Sequence, residues 1–254
     1  MTSITTHYWT ASDNVQLAWR EVGLGGPVIL LHGLFSDAQM NWIKFGHAER
    51  IAATGFRVIM PDLRAHGLSG KPHEQSHYPQ LVLVRDLKEL IAHLGLTDFD
   101  LGGFSLGART AIEAVIGGIR PRRAILSGTG LDVLTNWERR RDFYTAAIDK
   151  FGEVSHGDPH WFAVQFMKTM KIDREAARLL LGTMRDRENK HEMVDAFSMP
   201  TLVVCGDQDD DNGSAVELAG ILPNAEYAEI PGTHMSSVTR KELGEEIARF
   251  LAGA

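Results

Sequence analysis

The sequence contains a single cysteine and no long apolar segment, and it lacks any excess of positive charge. The one cysteine, Cys205, excludes an intrachain disulfide and gives no indication of an oxidising compartment. Its strand-like neighbours Leu202, Val203 and Val204 predict a buried thiol rather than a nucleophile. No disulfide therefore contributes to the predicted fold.

The charge and hydropathy of the chain argue against two kinds of partner. The formal net charge is −7, so no basic excess is present to neutralise the phosphates of a nucleic acid. No apolar stretch approaches the roughly 20 residues that a membrane-spanning helix needs. The N-terminal sequence MTSITTHYWTASDN is polar and does not resemble a signal peptide. We therefore expect a cytoplasmic protein with a small-molecule substrate; nothing in the sequence indicates its oligomeric state.

Short apolar runs alternate with segments of helical periodicity over most of the chain. Most of these runs are continuously apolar and end in Gly or Asp, as expected for parallel strands covered on both faces. The predicted strands are 27–33, 56–62, 99–105, 122–128, 201–207 and 225–232. The predicted helices are roughly 40–53, 79–94, 106–117, 214–222 and 240–252. With two antiparallel strands in HYWTA and VQLAWREVG, the sequence predicts an α/β fold with a mostly parallel eight-stranded sheet flanked by helices.

Residues 132–198 interrupt this alternation because they contain no convincing strand. The segment is helical in pattern, rich in aromatic residues and methionine, and falls between two predicted strands. We therefore expect one α/β domain, residues 1–254, in which 132–198 form an inserted helical cap. Ligand crevices of open α/β sheets lie beyond the carboxyl ends of the strands, where such a cap can cover them. The alternative is a helical subdomain that packs only on itself.

The segment DLGGFSLGART places Ser105 between Gly103 and Gly107, where a predicted strand gives way to a predicted helix. A sharp strand-to-helix turn brings two backbones close together, which explains the glycines. The turning residue is forced into an unfavourable backbone conformation that costs about 1–3 kcal/mol outside glycine. Because glycine would relax a merely structural turn, we predict that the hydroxyl of Ser105 is a nucleophile. The N–H of Leu106 can then stabilise the oxyanion formed when Ser105 attacks a carbonyl.

A serine nucleophile needs a base and a carboxylate that orients the base. His234, in EIPGTHMSSV, follows the last predicted strand and is the candidate base. The candidate acids lie in VVCGDQDDDNG, and the residues alone leave four open: Asp207, Asp209, Asp210 and Asp211. A solvated acidic turn and a calcium site are the rival interpretations of this loop. Asn212 and Leu218 replace the glycine and glutamate of an EF-hand, so no metal is predicted.

A second oxyanion donor is expected after the predicted strand in ILLHGLF. A bend at Gly33 turns the next N–H, that of Leu34, toward Ser105. We expect His32 to hold this loop rather than to take part in the chemistry. Three polar residues of DLRAHGLSG are expected to brace a loop beside the site: Asp62, Arg64 and His66.

With these residues in view, the chain resembles the α/β-hydrolase superfamily over nearly its whole length. The motifs LLHG, PDLRAHGLSG, GGFSLG, VVCGDQD and IPGTHM occur in that family's order. The resemblance implies a nucleophile, acid and histidine in the chain order Ser105, Asp209 and His234. It selects Asp209 because the family's acid lies three residues after the strand-terminal glycine, here Gly206; Asp207 is the less favoured alternative.

The resemblance is greatest to small bacterial serine esterases and to their cofactor-free haloperoxidase, perhydrolase and lactonase-like relatives. It implies hydrolysis of carboxylic esters with short or medium acyl or aryl groups, without a cofactor, and it places an oxyanion N–H at Leu34. Family members that cleave epoxides or carbon–halogen bonds use an aspartate nucleophile, so Ser105 argues against both reactions. Lactones, thioesters and carbon–carbon bonds stay open as targets. So does another class of function, a ligand receptor on the same fold with slow turnover.

The composition of the predicted cap bears on the substrate. Its aromatic residues and methionines predict an apolar pocket. The sequence WERRRDF carries Arg139, Arg140 and Arg141, which could attract an anionic substrate. The favoured interpretation of these arginines is a solvated helix face.

Overall fold

A computed structural model describes residues 3–187 and 190–253 of the chain, so the limits of the predicted domain, Met1 and Ala254, lie outside the described residues. Within the described residues the strands are β1 Thr5–Thr10, β2 Gln16–Val22, β3 Gly26–Leu31, β4 Phe56–Asp62, β5 Asp100–Phe104, β6 Ala124–Ser127, β7 Thr201–Gly206 and β8 Ala225–Ile230. They form one sheet in the order β1-β2-β4-β3-β5-β6-β7-β8. β2 pairs antiparallel with β1 and β4, and all other pairs are parallel. The predicted mostly parallel eight-stranded sheet is confirmed.

Helices connect the strands and cover the sheet. In the described part of the chain they are α1 His47–Ala52, α2 Val82–His93, α3 Leu106–Ile116, α4 Trp137–Asp149, α5 Trp161–Thr169, α6 Arg174–Leu181, α7 Lys190–Ala196, α8 Ala215–Ile221, α9 His234–Ser237 and α10 Lys241–Ala252. The single helix predicted over 40–53 is wrong. A π-helical segment, Gln39–Ile43, precedes α1, and Gly46 between them has a φ of 76°, in the left-handed region. None of the helices in these residues is long and apolar enough to cross a membrane.

The sheet is buried on both faces, which explains why its central strands read as continuous apolar runs. Along β3, Ile29 and Leu31 pack into one hydrophobic cluster with α2 and α3. The alternate residues Val28 and Leu30 pack into another with α1 and α10. The thiol of Cys205, on β7, is buried as predicted, and burial together with the charge of Asp209 raises its pKa to about 12.

Within the described residues, the segment between β6 and β7 contains the helices α4 to α7, joined by turns and loops, and no strand. Trp137 of α4 and Met167 of α5 belong to the same hydrophobic cluster as Leu31 and Leu106. These helices therefore pack against the sheet domain rather than only against one another. Because β6 and β7 are parallel neighbours, the segment leaves the sheet at the carboxyl end of β6, where ligand crevices of such sheets lie, and returns to the opposite edge at the amino end of β7.

Candidate active site

Ser105 lies in a tight turn between β5 and α3. Its φ of 52° and ψ of −108° are strained for a residue with a side chain, as the sequence predicts. A Cβ atom on Gly103 would lie 2.3 Å from the carbonyl carbon of Gly107. One on Gly107 would lie 2.2 Å from the carbonyl oxygen of Leu31 on β3. The two glycines therefore permit the approach of α3 to β5 and β3 that this turn requires.

Three of the predicted site residues form a continuous hydrogen-bonded chain. The Oγ atom of Ser105 lies 3.0 Å from Nε2 of His234. The other ring nitrogen, Nδ1, lies 2.9 Å from Oδ2 and 3.1 Å from Oδ1 of Asp209. An N–H at Nδ1 that donates to the carboxylate leaves Nε2 able to accept the hydroxyl proton of Ser105.

Local structure fixes His234 in this orientation. The residue begins the short helix α9, which follows β8. Thr233 and Ser236 form a reciprocal capping box at the start of that helix, in which each side chain accepts from the other residue's backbone N–H. The imidazole is also packed against the ring of Phe104, with 5.1 Å between the ring centroids.

Asp209 is buried beneath the imidazole, in the loop after β7. Burial by itself raises the pKa of this carboxyl, but its hydrogen bond to His234, the charge of that imidazole and the N–H of Asp211 outweigh burial and lower the pKa. Asp209 is thus an ionised acceptor for the ring N–H. Asp209, Asp211 and His234 also hold atoms suited to a metal ion within 4.8 Å of one another. The bond between Asp209 and Nδ1 already uses two of these three groups, so the cluster gives no separate indication of a metal.

The remaining aspartates of this loop have other contacts or line a cavity. Oδ1 of Asp207 accepts the N–H of Gly232 at 2.7 Å and so ties the loop after β7 to the loop that leads to His234. Asp210 and Asp211 have exposed side chains and line a cavity in front of Ser105. The residues alone left these four carboxylates equivalent; the structure brings that of Asp209 to the imidazole.

The two predicted oxyanion donors lie on either side of Ser105 and line the same cavity. Leu106 is the first residue of α3, where backbone N–H groups have no partner within the helix. In the loop after β3, the N–H of Gly33 donates to Asn41, and the N–H of Phe35 donates to His66; each bond is 3.0 Å long. These two bonds hold the backbone of this loop before and after Leu34.

His32 and His66 hold this loop through both of their ring nitrogens. Nδ1 of His32 donates to the carbonyl of Gly33, and its Nε2 accepts the N–H of Leu63. Nδ1 of His66 donates to the carbonyl of Arg64, and its Nε2 accepts from Phe35. Burial lowers the pKa of His32 to about 4 and that of His66 to about 3, so both rings are neutral near pH 7.

Asp62 and Arg64, the other two residues expected to brace a loop, contact different parts of the protein. Asp62 accepts the N–H groups of Ala38 and Leu68, which joins the loop after β3 to the loop after β4. Arg64 instead forms ion pairs with Asp86 and Asp13, so it anchors α2 and the turn after β1. These ion pairs hold the loop that contains Arg64 against α2 and that turn.

Two cavities meet at Ser105, Leu34 and His234. The first, here called the apolar lobe, has a volume of about 490 Å³. Its side chains include Phe45, Phe104, Phe162, Phe166, Met235 and Val238. The second, the charged lobe, has a volume of about 520 Å³. Its charged side chains, besides His234, are Arg109, Asp132, Arg139, Arg140, Asp210 and Asp211.

The expected solvated face of WERRRDF holds for Arg139, which is exposed, but Arg140 is only partly exposed. Arg139 and Arg140 line the charged lobe, whereas Arg141 pairs with its neighbour Asp142. Phe143 and Tyr144, two of the aromatic residues of the segment for which the sequence predicts an apolar pocket, line both lobes. They lie three and four residues after Arg140, so the helical period places all three on one face of α4. That period was a signal available in the sequence.

Comparison with known proteins agrees with this geometry. A family model described as the alpha/beta hydrolase fold matches residues 26–116. A non-heme haloperoxidase of Rhodococcus erythropolis is 25% identical over 95% of this chain and 98% of its own. An epoxide hydrolase of Caballeronia sordidicola is 34% identical over 46% of this chain and 34% of its own. The structure of an esterase of Exiguobacterium antarcticum superposes with a TM-score of 0.77 at 20% identity, over 97% of this chain and 99% of that one.

The strand order, the strained serine turn and these similarities define one class of protein. The chain has the α/β-hydrolase fold, and residues 26–116 match the family model of that name.

Proposed function

We propose that this protein hydrolyses carboxylic esters through an acyl-enzyme intermediate, with Ser105 as nucleophile, His234 as base and Asp209 as the orienting acid. The observation that carries the proposal is the unbroken hydrogen-bonded chain from Oγ of Ser105 through His234 to Asp209. A strained serine that is hydrogen-bonded to an imidazole, itself held by a buried carboxylate, is the arrangement that activates an alcohol toward a carbonyl.

In the first half of the proposed reaction, Oγ of Ser105 attacks the ester carbonyl while Nε2 of His234 takes its proton. The N–H groups of Leu34 and Leu106 donate to the oxyanion that forms. The proton then passes from His234 to the leaving alcohol. In the second half, His234 takes a proton from water, which attacks the acyl carbonyl; His234 then returns that proton to Oγ of Ser105 as the acid leaves.

The proposed substrate carries an apolar acyl or aryl group, because one lobe beside Ser105 is lined largely by aromatic and aliphatic side chains. We further propose that 132–198 are the cap of a single domain, since Phe143 and Phe162 from that segment form part of this lobe. Serine at the turn, rather than aspartate, favours acyl transfer over the reaction named for the epoxide hydrolase relative. The esterase neighbour is consistent with the same choice.

The substitution Ser105→Ala tests this proposal. It should lower kcat/KM for short-chain 4-nitrophenyl esters by about 10⁴-fold or more, because the alcohol that forms the acyl-enzyme is lost. A fluorophosphonate probe should label the wild-type protein and not the variant. Ser12→Ala is the matched control, since Ser12 is an exposed serine that bonds Glu89 and lines neither lobe. Ester turnover in Ser105→Ala equal to that of this control would contradict the proposal.

The alternative of a ligand receptor predicts a different pair of results. A receptor would bind an apolar ester, seen as a rise in Tm, with negligible turnover by the wild-type protein. Rapid turnover across a panel of esters of graded acyl length supports the enzyme, and the panel also gives the preferred acyl length.

A further inference from the structure

Two arginines of α4, Arg139 and Arg140, line the charged lobe together with Ser105. Nη2 of Arg140 donates to the backbone carbonyl of Asp211 at 3.0 Å. Across the described residues, no ion pair of 4.0 Å or less joins Arg139 or Arg140 to a carboxylate. Arg140 is only partly exposed, so its charge is held in a cavity wall where no carboxylate of the described residues lies within ion-pair distance. A poorly solvated cation in a cavity favours binding of an anion.

The third arginine of this lobe differs in this respect. Arg109 is buried and forms an ion pair with Glu113 at 3.0 Å. It also donates to the carbonyl groups of Val133 and Arg185, and its guanidinium stacks on the ring of Trp137. Its charge is therefore compensated within the protein. The same contacts connect α3 to the segment between β6 and β7. The uncompensated positive charge of the lobe belongs to α4.

Two of the three carboxylates of the lobe have a weaker influence on a bound ligand than their number suggests. Asp210 and Asp211 are exposed, so water screens their charges. Burial is the main cause of a lowered pKa for Arg140, and the charges of Asp211 and Asp132 only partly oppose it. Arg140 thus lacks the solvent and the close counterion that would satisfy a guanidinium.

We propose that the charged lobe binds a carboxylate group of the substrate through Arg140, with Arg139 at its rim, so that the preferred substrate joins an apolar group and a carboxylate across the ester bond. This inference rests on the proposed ester hydrolysis and specifies its substrate class. Both lobes share Ser105, Leu34 and His234, so the reacting carbonyl lies at their junction, with the apolar group on one side and the carboxylate on the other. A guanidinium can hold a carboxylate by two parallel hydrogen bonds.

The experiment compares three 4-nitrophenyl esters of similar length: the neutral butyrate, the anionic hemisuccinate and the cationic 4-(trimethylammonio)butyrate. The measured quantity is the ratio of kcat/KM for the anionic ester to that for the neutral ester. Arg140→Gln should lower this ratio by roughly 10- to 100-fold, as expected for loss of a hydrogen bond between charged groups. Arg139→Gln should lower it less, because that side chain is exposed. Arg140→Lys should retain part of the preference.

Arg141→Gln is the matched control within the same triplet, because Arg141 pairs with Asp142 and lines neither lobe. It should leave the ratio unchanged. Tm values for all variants separate loss of anion recognition from loss of folding. An unchanged ratio in Arg140→Gln, or a wild-type preference for the cationic ester, would overturn the inference. Failure of the wild-type protein to hydrolyse even the neutral ester would instead overturn the proposed function.

Discussion

At the scale of single residues, the site depends on groups that are energetically unfavourable unless neighbouring groups compensate them. The φ of 52° at Ser105 is strained, and the buried carboxylate of Asp209 would be unfavourable without its hydrogen bonds. The hydrogen bond between Asp209 and His234 stabilises the carboxylate and orients the ring in one step. The same contact lowers the pKa of Asp209, so the orienting charge persists well below neutral pH.

A pair of aspartate variants separates the orienting acid from its less favoured alternative. Asp209→Asn should lower kcat for a nitrophenyl ester by about 10³- to 10⁴-fold, because the amide no longer stabilises the imidazole that carries the transferred proton. Asp207→Asn should change kcat far less, since Asp207 accepts only the N–H of Gly232, and an amide oxygen can accept the same bond. Steady-state kinetics measure this difference in kcat, and equal Tm values show that neither variant has lost its fold. Equal losses in the two variants would contradict the assignment of Asp209.

At the scale of secondary-structure elements, the site depends on how closely α3 approaches the sheet. The N–H of Ser105 donates to the carbonyl of Ser127, which joins the turn to the end of β6. Gly107 sits against Leu31 on β3, which leads directly into the loop of Leu34. One helix therefore sets the position of the nucleophile relative to both expected oxyanion donors.

Two glycine variants test this packing. Gly107→Ala should lower the free energy of unfolding by about 3 kcal/mol and reduce activity, because the new Cβ would lie 2.2 Å from a backbone oxygen of Leu31. Gly220→Ala is the matched control: Gly220 lies in α8, and a Cβ there would contact nothing within 4 Å. That change should be neutral or stabilise by up to about 1 kcal/mol. Urea unfolding measures both, and equal stability of the two variants would contradict the close approach.

At the scale of the whole molecule, buried histidines make stability depend on pH. The loops after β3 and β4 hold each other through His32 and His66, which are neutral in the folded state because burial lowers their pKa values to about 4 and about 3. In the unfolded chain a histidine binds a proton near pH 6.5. The unfolded state therefore binds more protons below that pH. The stability contributed by these two residues is complete above pH 6.5 and is lost as the pH falls toward 4.

Unfolding experiments between pH 6 and pH 4.5 test this relation. As the pH falls, each of the two histidines should lower the free energy of unfolding by about 1.4 kcal/mol per pH unit. His66→Gln should therefore reduce the slope of unfolding free energy against pH by about that amount. His73→Gln is the control. The hydrogen bond to Asp173 raises the pKa of His73, so this residue is protonated in both states over the same range, and its loss leaves the slope unchanged. A slope that is the same in all three proteins would contradict the prediction.

Much of this arrangement was predictable because it depends on local patterns. Continuous apolar runs gave the parallel strands, since only strands buried on both faces have that composition. The glycines around Ser105 indicated a tight turn, which the φ of 52° confirms. The segment predicted as one helix over 40–53 divides at Gly46, whose left-handed conformation depends on its surroundings and was not evident from periodicity.

The sequence by itself determined the sheet, the turn at Ser105 and the candidate histidine, because each follows from residue periodicity or from steric limits over a few neighbours. Only the tertiary structure decided which of four adjacent aspartates meets the imidazole and which arginines of α4 face the cavity. Those choices depend on the packing of segments that lie far apart in the chain. Residues next to one another in a loop or in a helical turn carry the same local signal, and a distant partner is what distinguishes them.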